Sequence, residues 1–177
     1  KGILDYTLHT SIAQNVKVSY NTVMIIDSHV HISYLERRKT FLQARDDLLL
    51  DMKRNKISHA IVIPDNVQNS KCADLETVIG LIQNEPRLSM VGTLKITDIN
   101  KANLNKIERL FRRKIIRGFK IFPGHDPVYP TDQRWNPIYK LCQKYDFPLM
   151  IHTGINTGDT KCAKYNDPKY IVKIAKL

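Results

Sequence analysis

The feature that most constrains this chain is a repeated alternation of short apolar runs with longer amphipathic stretches. The runs cover residues 23–27, 59–64, 89–94, 116–122 and 148–152, so their starts are 36, 30, 27 and 32 residues apart. That spacing is typical of strand–loop–helix units, and near-continuous apolar strands belong in a parallel sheet covered by helices. Segments 46–55, 75–84, 101–113 and 132–145 read as the helices. In the first, Leu48, Leu49 and Met52 share a face. Asp46 and Asp47 stand near its expected N-terminus and Lys53 and Arg54 near its C-terminus, an order that suits the helix dipole. Thr131 is expected to cap the fourth helix, and the stretch after Pro168 starts a fifth.

Two α/β folds accept five such units. An open doubly wound sheet is complete at about this length, whereas a (β/α)8 barrel takes about 250 residues, and the chain has 177. Periodicity does not choose between them, but histidine placement does. His29 and His31 follow the first run two residues apart, so on extended backbone both imidazoles lie on one side. Two converging imidazoles with open remaining positions suit a catalytic zinc-type site. His152 ends the fifth run. In an open sheet ordered 2-1-3-4-5, the first and fifth strands would lie ~14 Å apart at ~4.8 Å per strand, too far to share a ligand. In a barrel, inward residues at the carboxyl ends of strands meet over the axis. A metal shared by His29, His31 and His152 therefore requires the barrel.

Three stretches carry a family resemblance: MIIDSHVHI from Met24, GFKIFPG from Gly118 and PLMIHTG from Pro148. In order and spacing they resemble the amidohydrolase superfamily. More narrowly, they are similar to its metal-dependent TIM-barrel hydrolase branch, which includes aminocarboxymuconate-semialdehyde decarboxylase-like proteins. The resemblance implies an α/β fold: an incomplete (β/α)8 TIM barrel of about the first five βα units, occupying 24–177. It implies that His29, His31 and His152 hold a divalent metal, zinc by choice. Lys120 falls on the fourth run, where binuclear relatives carry a carboxylated lysine bridging two metals. Only a neutral amine forms a carbamate, and burial favours that form. An inward lysine paired with a carboxylate or held near substrate is the favoured alternative. The family's sixth-strand histidine and eighth-strand aspartate have no counterpart before Leu177. The chain thus reads as an N-terminal fragment, expected alone to show no appreciable turnover and weak metal retention.

Around that core, Asp27 is expected to orient a ligand histidine, with plain loop hydrogen bonding as its rival role. His125 and Tyr129, in the loop after the fourth run, are candidate substrate contacts, His125 also a catalytic group. Asp65 is a weaker candidate, and His59, at the start of its run, is expected to be structural. The expected reaction is hydrolysis of a small amide, ester or lactone by metal-activated water. The alternatives are a metal-dependent non-oxidative decarboxylase on the same fold and a non-catalytic half-barrel binding module.

The net charge of +11 invites a nucleic-acid reading. The basic residues are dispersed along helices, however, and the deoxyribonuclease branch of the superfamily carries an acidic residue where this chain has Gly118-Phe119-Lys120. The expected partner is a small molecule, without nucleic acid or membrane, since no apolar run approaches the ~20 residues of a bilayer span. Open strand edges would favour a homo-oligomer. Cys72, Cys142 and Cys162 lack a CxxC pattern, which fits a reducing cytoplasm, and Cys142 is expected to pack as a small apolar residue. Residues 1–23 lack a signal-like apolar segment, and 16–20 alternate like a strand. Because Met24 would serve as a start, 1–23 are expected to be an N-terminal extension, not necessarily native.

Overall fold

The computed structural model describes residues 24–34, 40–67, 70–155 and 160–176. The expectations for 1–23 lie outside these residues. Among the described residues, strands and helices run β1 (Ile25–Val30), α1 (Phe41–Arg54), β2 (Ile57–Val62), α2 (Leu75–Ile82), β3 (Leu88–Met90), β4 (Gly92–Thr93), α3 (Lys101–Arg112), β5 (Phe119–Ile121), α4 (Asn136–Tyr145), β6 (Leu149–Ile151) and α5 (Lys169–Ile174). No helix among them is long and apolar enough to cross a membrane.

All pairings between these strands are parallel, in two sheets ordered β1-β2-β3 and β4-β5-β6. Only Val91 separates the third strand from the fourth, so the apolar run at 89–94 forms two short strands rather than the single one expected. Its first half pairs back to β2 and its second half forward to β5, as staggered, tilted parallel strands do. The main chain carries the ladder across the join: Val91 N donates to Val62 O at 3.2 Å and Gly92 N to Gly118 O at 2.9 Å. Spatial order thus follows chain order, without the reversal at a first strand that marks a doubly wound sheet. The architecture is mixed α/β with parallel sheets, consistent with part of a TIM-barrel-like fold. Among the described residues nothing pairs β1 with β6, so no closed barrel forms, and the split third run leaves the division into five βα units indistinct.

Helix boundaries follow caps more than charge order. Helix α1 starts at Phe41 because the Thr40 side chain accepts from Gln43 N at 3.1 Å. Asp46 and Asp47 therefore sit mid-helix, and only the basic last turn, Lys53 and Arg54, matches the expected dipole pattern. Asp74 and Asn100 cap α2 and α3 in the same way. Thr131 does not cap α4. A 3-10 turn at Gln133–Trp135 intervenes, held by Asp132, whose carboxylate accepts from both the main chain and the guanidinium of Arg134.

Alternation along the strands divides the side chains between two layers. Ala60, Val62, Met90, Phe119 and Ile121 face the helices and join Met52, Val78, Ile107, Phe111, Trp135 and Ile138 in the main core. The residues between and just beyond them, Ile61, Ile63, Val91, Phe122 and Met150, form a smaller apolar cluster on the opposite, inner face. Cys142 packs in the main core as expected, and burial pushes its thiol up to about 12.

Among the described glycines, Gly92 leaves the least room for a side chain. A Cβ there would stand 2.7 Å from Ile116 Cδ1 and 3.1 Å from Phe119 Cδ2. Gly92→Ala is expected to destabilise the fold by about 1–3 kcal/mol through overpacking. Gly80→Ala, where an added methyl meets nothing within 4 Å on helix α2, should stabilise by up to about 1 kcal/mol. Urea unfolding midpoints of the two variants, moving in opposite directions, check this assignment.

Candidate active site on the inner face

The same alternation places the chemistry. Val30 and Ile32 pack toward the main core, so His29 and His31 point the other way. Lys120, between Phe119 and Ile121, does likewise, and so does His152, one step beyond Ile151.

His29 Nε2 and His31 Nε2 lie 3.2 Å apart. Two nitrogens each about 2.05 Å from a tetrahedral zinc would be about 3.3 Å apart, so the pair has the separation of neighbouring ligands. The Nδ1–H of His31 donates to Ile63 O at 2.8 Å, which turns the Nε2 lone pair toward His29. Desolvation lowers both histidine pKa values, with Lys120 adding to the effect in each, so the neutral form that can ligate is favoured. Asp27 Oδ1 accepts from the main-chain N–H of His29 at 3.1 Å, beside an irregularity in the β1–β2 register. Its recorded contact is thus with backbone, whereas the Ile63 carbonyl fixes a histidine ring. Among the described residues, no group of three or more His, Cys, Asp or Glu side chains assembles that could hold a metal. The structure brings His29 and His31 together as a pair, while the ring of His152 lies against Phe122 with centroids 6.3 Å apart.

Lys120 is only 3% exposed, its Nζ 5.2 Å from the centre of the Phe122 ring. Burial alone pushes its pKa from the ordinary 10.5 down to about 8. Its register partner on β4 is Thr93, equally buried, whose Oγ1 has no hydrogen-bond partner among the described residues. Sequence reasoning passed over Thr93. The available signal was a polar residue two positions after Val91, hence on the same face of an otherwise apolar run.

His125 lies after β5, its ring stacked on Phe122 at 4.9 Å and tilted by only 6°. Its Nδ1 is 2.9 Å from Asn66 Oδ1 and 3.6 Å from Asp65 Oδ1. Asp65 in turn accepts from Val67 N and Ser70 Oγ. Asn66 Nδ2 donates to Asp126 Oδ2 at 3.3 Å, and that oxygen also accepts from Ile96 N at 3.1 Å. Asp126 thereby ties together the loops that follow β2, β4 and β5. Burial pushes its carboxyl upward, partly offset by the Ile96 N–H. Tyr129 packs against Tyr165 and Tyr170, centroids 4.9 and 5.0 Å away, at the rim. His59, on β2, has its Nε2 2.8 Å from Ser89 Oγ. It borders a hollow of about 800 Å³ at the other ends of the strands, which contains none of the inner-face histidines.

No family model matches the chain. No curated protein matches it either. Its fold is similar to the crystal structure of a probable 2-pyrone-4,6-dicarboxylic acid hydrolase from Acinetobacter baumannii, with citric acid bound. The identity is 15% and the TM-score 0.54, over 84% of this chain and 52% of that one. The chain thus spans about half the length of that hydrolase. The likeness is one of fold.

The buried lysine gives a pH test with a definite sign. Between about 8 and 10.5 the unfolded state binds the extra proton, so the Lys120 contribution makes stability rise with pH, by up to about 3 kcal/mol. Cys142 acts oppositely above its unfolded value, because its folded pKa is raised. The comparison that isolates Lys120 is therefore wild type against Lys120→Met. Their difference in unfolding free energy should shift in favour of wild type as pH rises across that window.

Proposed function

We propose that the inner-face site belongs to a metal-dependent hydrolase of the amidohydrolase superfamily, built on part of a (β/α)8 barrel and acting on a small amide, ester or lactone. The observation that carries this reading is the His29–His31 pair: two neutral-leaning imidazoles with facing nitrogens, one locked by a main-chain carbonyl. His29 and His31, joined by His152, would hold the ion. The chemistry a divalent ion such as zinc supplies there is acidification of water and polarisation of a carbonyl.

The chain's own residues supply the rest. Lys120 is a buried cation with no carboxylate beside it among the described residues, next to the unpartnered hydroxyl of Thr93. Such groups are costly unless an anion meets them, so they fit the carboxylate of a substrate and hold it below the histidines. His125 moves a proton, and Tyr129 borders the entrance. The printed name of the structural neighbour, a hydrolase of a dicarboxylic acid, is in keeping with this substrate class. Exposed Met24, Ile25 and Ile26, on and beside the edge of β1 that no described strand pairs, support self-association.

The same buried cation favours one second reading. Lys120 could stabilise negative charge developing as carbon dioxide leaves, which would make the protein a non-oxidative decarboxylase. A screen of carboxylate-bearing lactones, esters and amides with added zinc, following carbon dioxide release in parallel, separates the two. In a longer protein that carries this segment, hydrolysis should be abolished by His31→Ala and lowered about 10²-fold or more by His125→Gln. Turnover indifferent to both substitutions would overturn the assignment, and carbon dioxide release without hydrolysis would select the decarboxylase.

A further inference from the structure

We propose that Asn66 and Asp126 are positioning residues that hold neutral His125 as its Nδ1–H tautomer, leaving the Nε2 lone pair to take a proton. Asp126 is 4% exposed, and its Oδ2 accepts the Ile96 N–H at 3.1 Å. An ionised carboxylate only accepts, so the Asn66 amide must present its NH2 to Asp126, at 3.3 Å. Its carbonyl oxygen is thereby turned to His125 Nδ1, at 2.9 Å. Rotating the amide by half a turn would set two acceptors face to face at Asp126, which fixes an orientation that an isolated Asn–His contact leaves open.

A second acceptor lies near the same nitrogen. Asp65 Oδ1 also faces Nδ1, at 3.6 Å, and Asp65 is anchored by Val67 N and Ser70 Oγ. Both groups facing Nδ1 are acceptors, so the proton sits there and Nε2 is left basic. The parallel stack on Phe122 sets the plane of the ring, while the Asn66 bond sets its rotation within that plane. When Nε2 takes a proton, the Nδ1–H stays where it is. The resulting cation is steadied by the Asp65 carboxylate, and no proton passes to Asn66. In water, free neutral imidazole of histidine prefers the opposite, Nε2–H form, so the tautomer is a sensitive reporter of this network.

What Nε2 does rests on the hydrolase reading, but the tautomer stands on the contacts alone and is tested without substrate or metal. The experiment is nitrogen-resolved NMR of the histidine rings in the 177-residue chain, at about pH 8, where ordinary histidines are neutral. His125→Gln assigns the signal. The expected result is Nδ1–H for His125 in wild type, with loss of that form toward Nε2–H in Asn66→Ala. A wild-type ring in the Nε2–H form overturns the proposal, and so does an Asn66→Ala ring that keeps the Nδ1–H form. Should Asn66→Ala fail to fold, the wild-type spectrum still decides. A failed hydrolysis screen alongside a confirmed tautomer would discard the reaction and keep the positioning.

Discussion

The arrangement depends on one constraint: a parallel strand that commits alternate residues to a helix-covered core must send the others to the opposite face. Helices α1 to α4 claim Ala60, Val62, Met90, Phe119 and Ile121. Val91, Lys120, Phe122 and Met150 then have a single place to go. The histidines of the first strand obey the same rule, because Val30 and Ile32 are held by the core on either side of His31. The site is a by-product of packing on the other face.

Burial on the inner face supplies the electrostatics. It lowers the pKa of Lys120 and, with that lysine nearby, the pKa values of His29 and His31. A buried ammonium that meets, among the described residues, nothing stronger than the Phe122 ring is a poor way to strengthen a fold and a good way to receive an anion. The strand-end loops meet the same need for satisfied polar groups. Asp126 takes N–H groups from two other loops, and that link holds the His125 side of the site against the Asn66 side.

The alternation of strands with helices and the facing of the first two histidines were legible because both follow from short-range periodicity: 27 to 36 residues between runs, and two residues between His29 and His31. The split of the third run was not, because it depends on which distant strand each half pairs with, β2 for the first and β5 for the second. The early start of α1 was announced by Thr40 but obscured by the pair of aspartates behind it. Thr93 escaped notice because a single threonine in a strand is ordinary until its neighbour proves to be a buried lysine. The Asn66–Asp126 contact spans sixty residues between two loops and leaves no periodic trace.

His29 and His31 converge at the separation of neighbouring zinc ligands. The most direct measurement is an equilibrium zinc titration against a competing chromophoric chelator, on wild type and His31→Ala at equal concentration. Wild type should take up one equivalent saturably, with affinity weakened at least about tenfold in the variant, which is about 1.4 kcal/mol of binding free energy. Zinc uptake that is absent in wild type, or unchanged by the loss of His31, would contradict it.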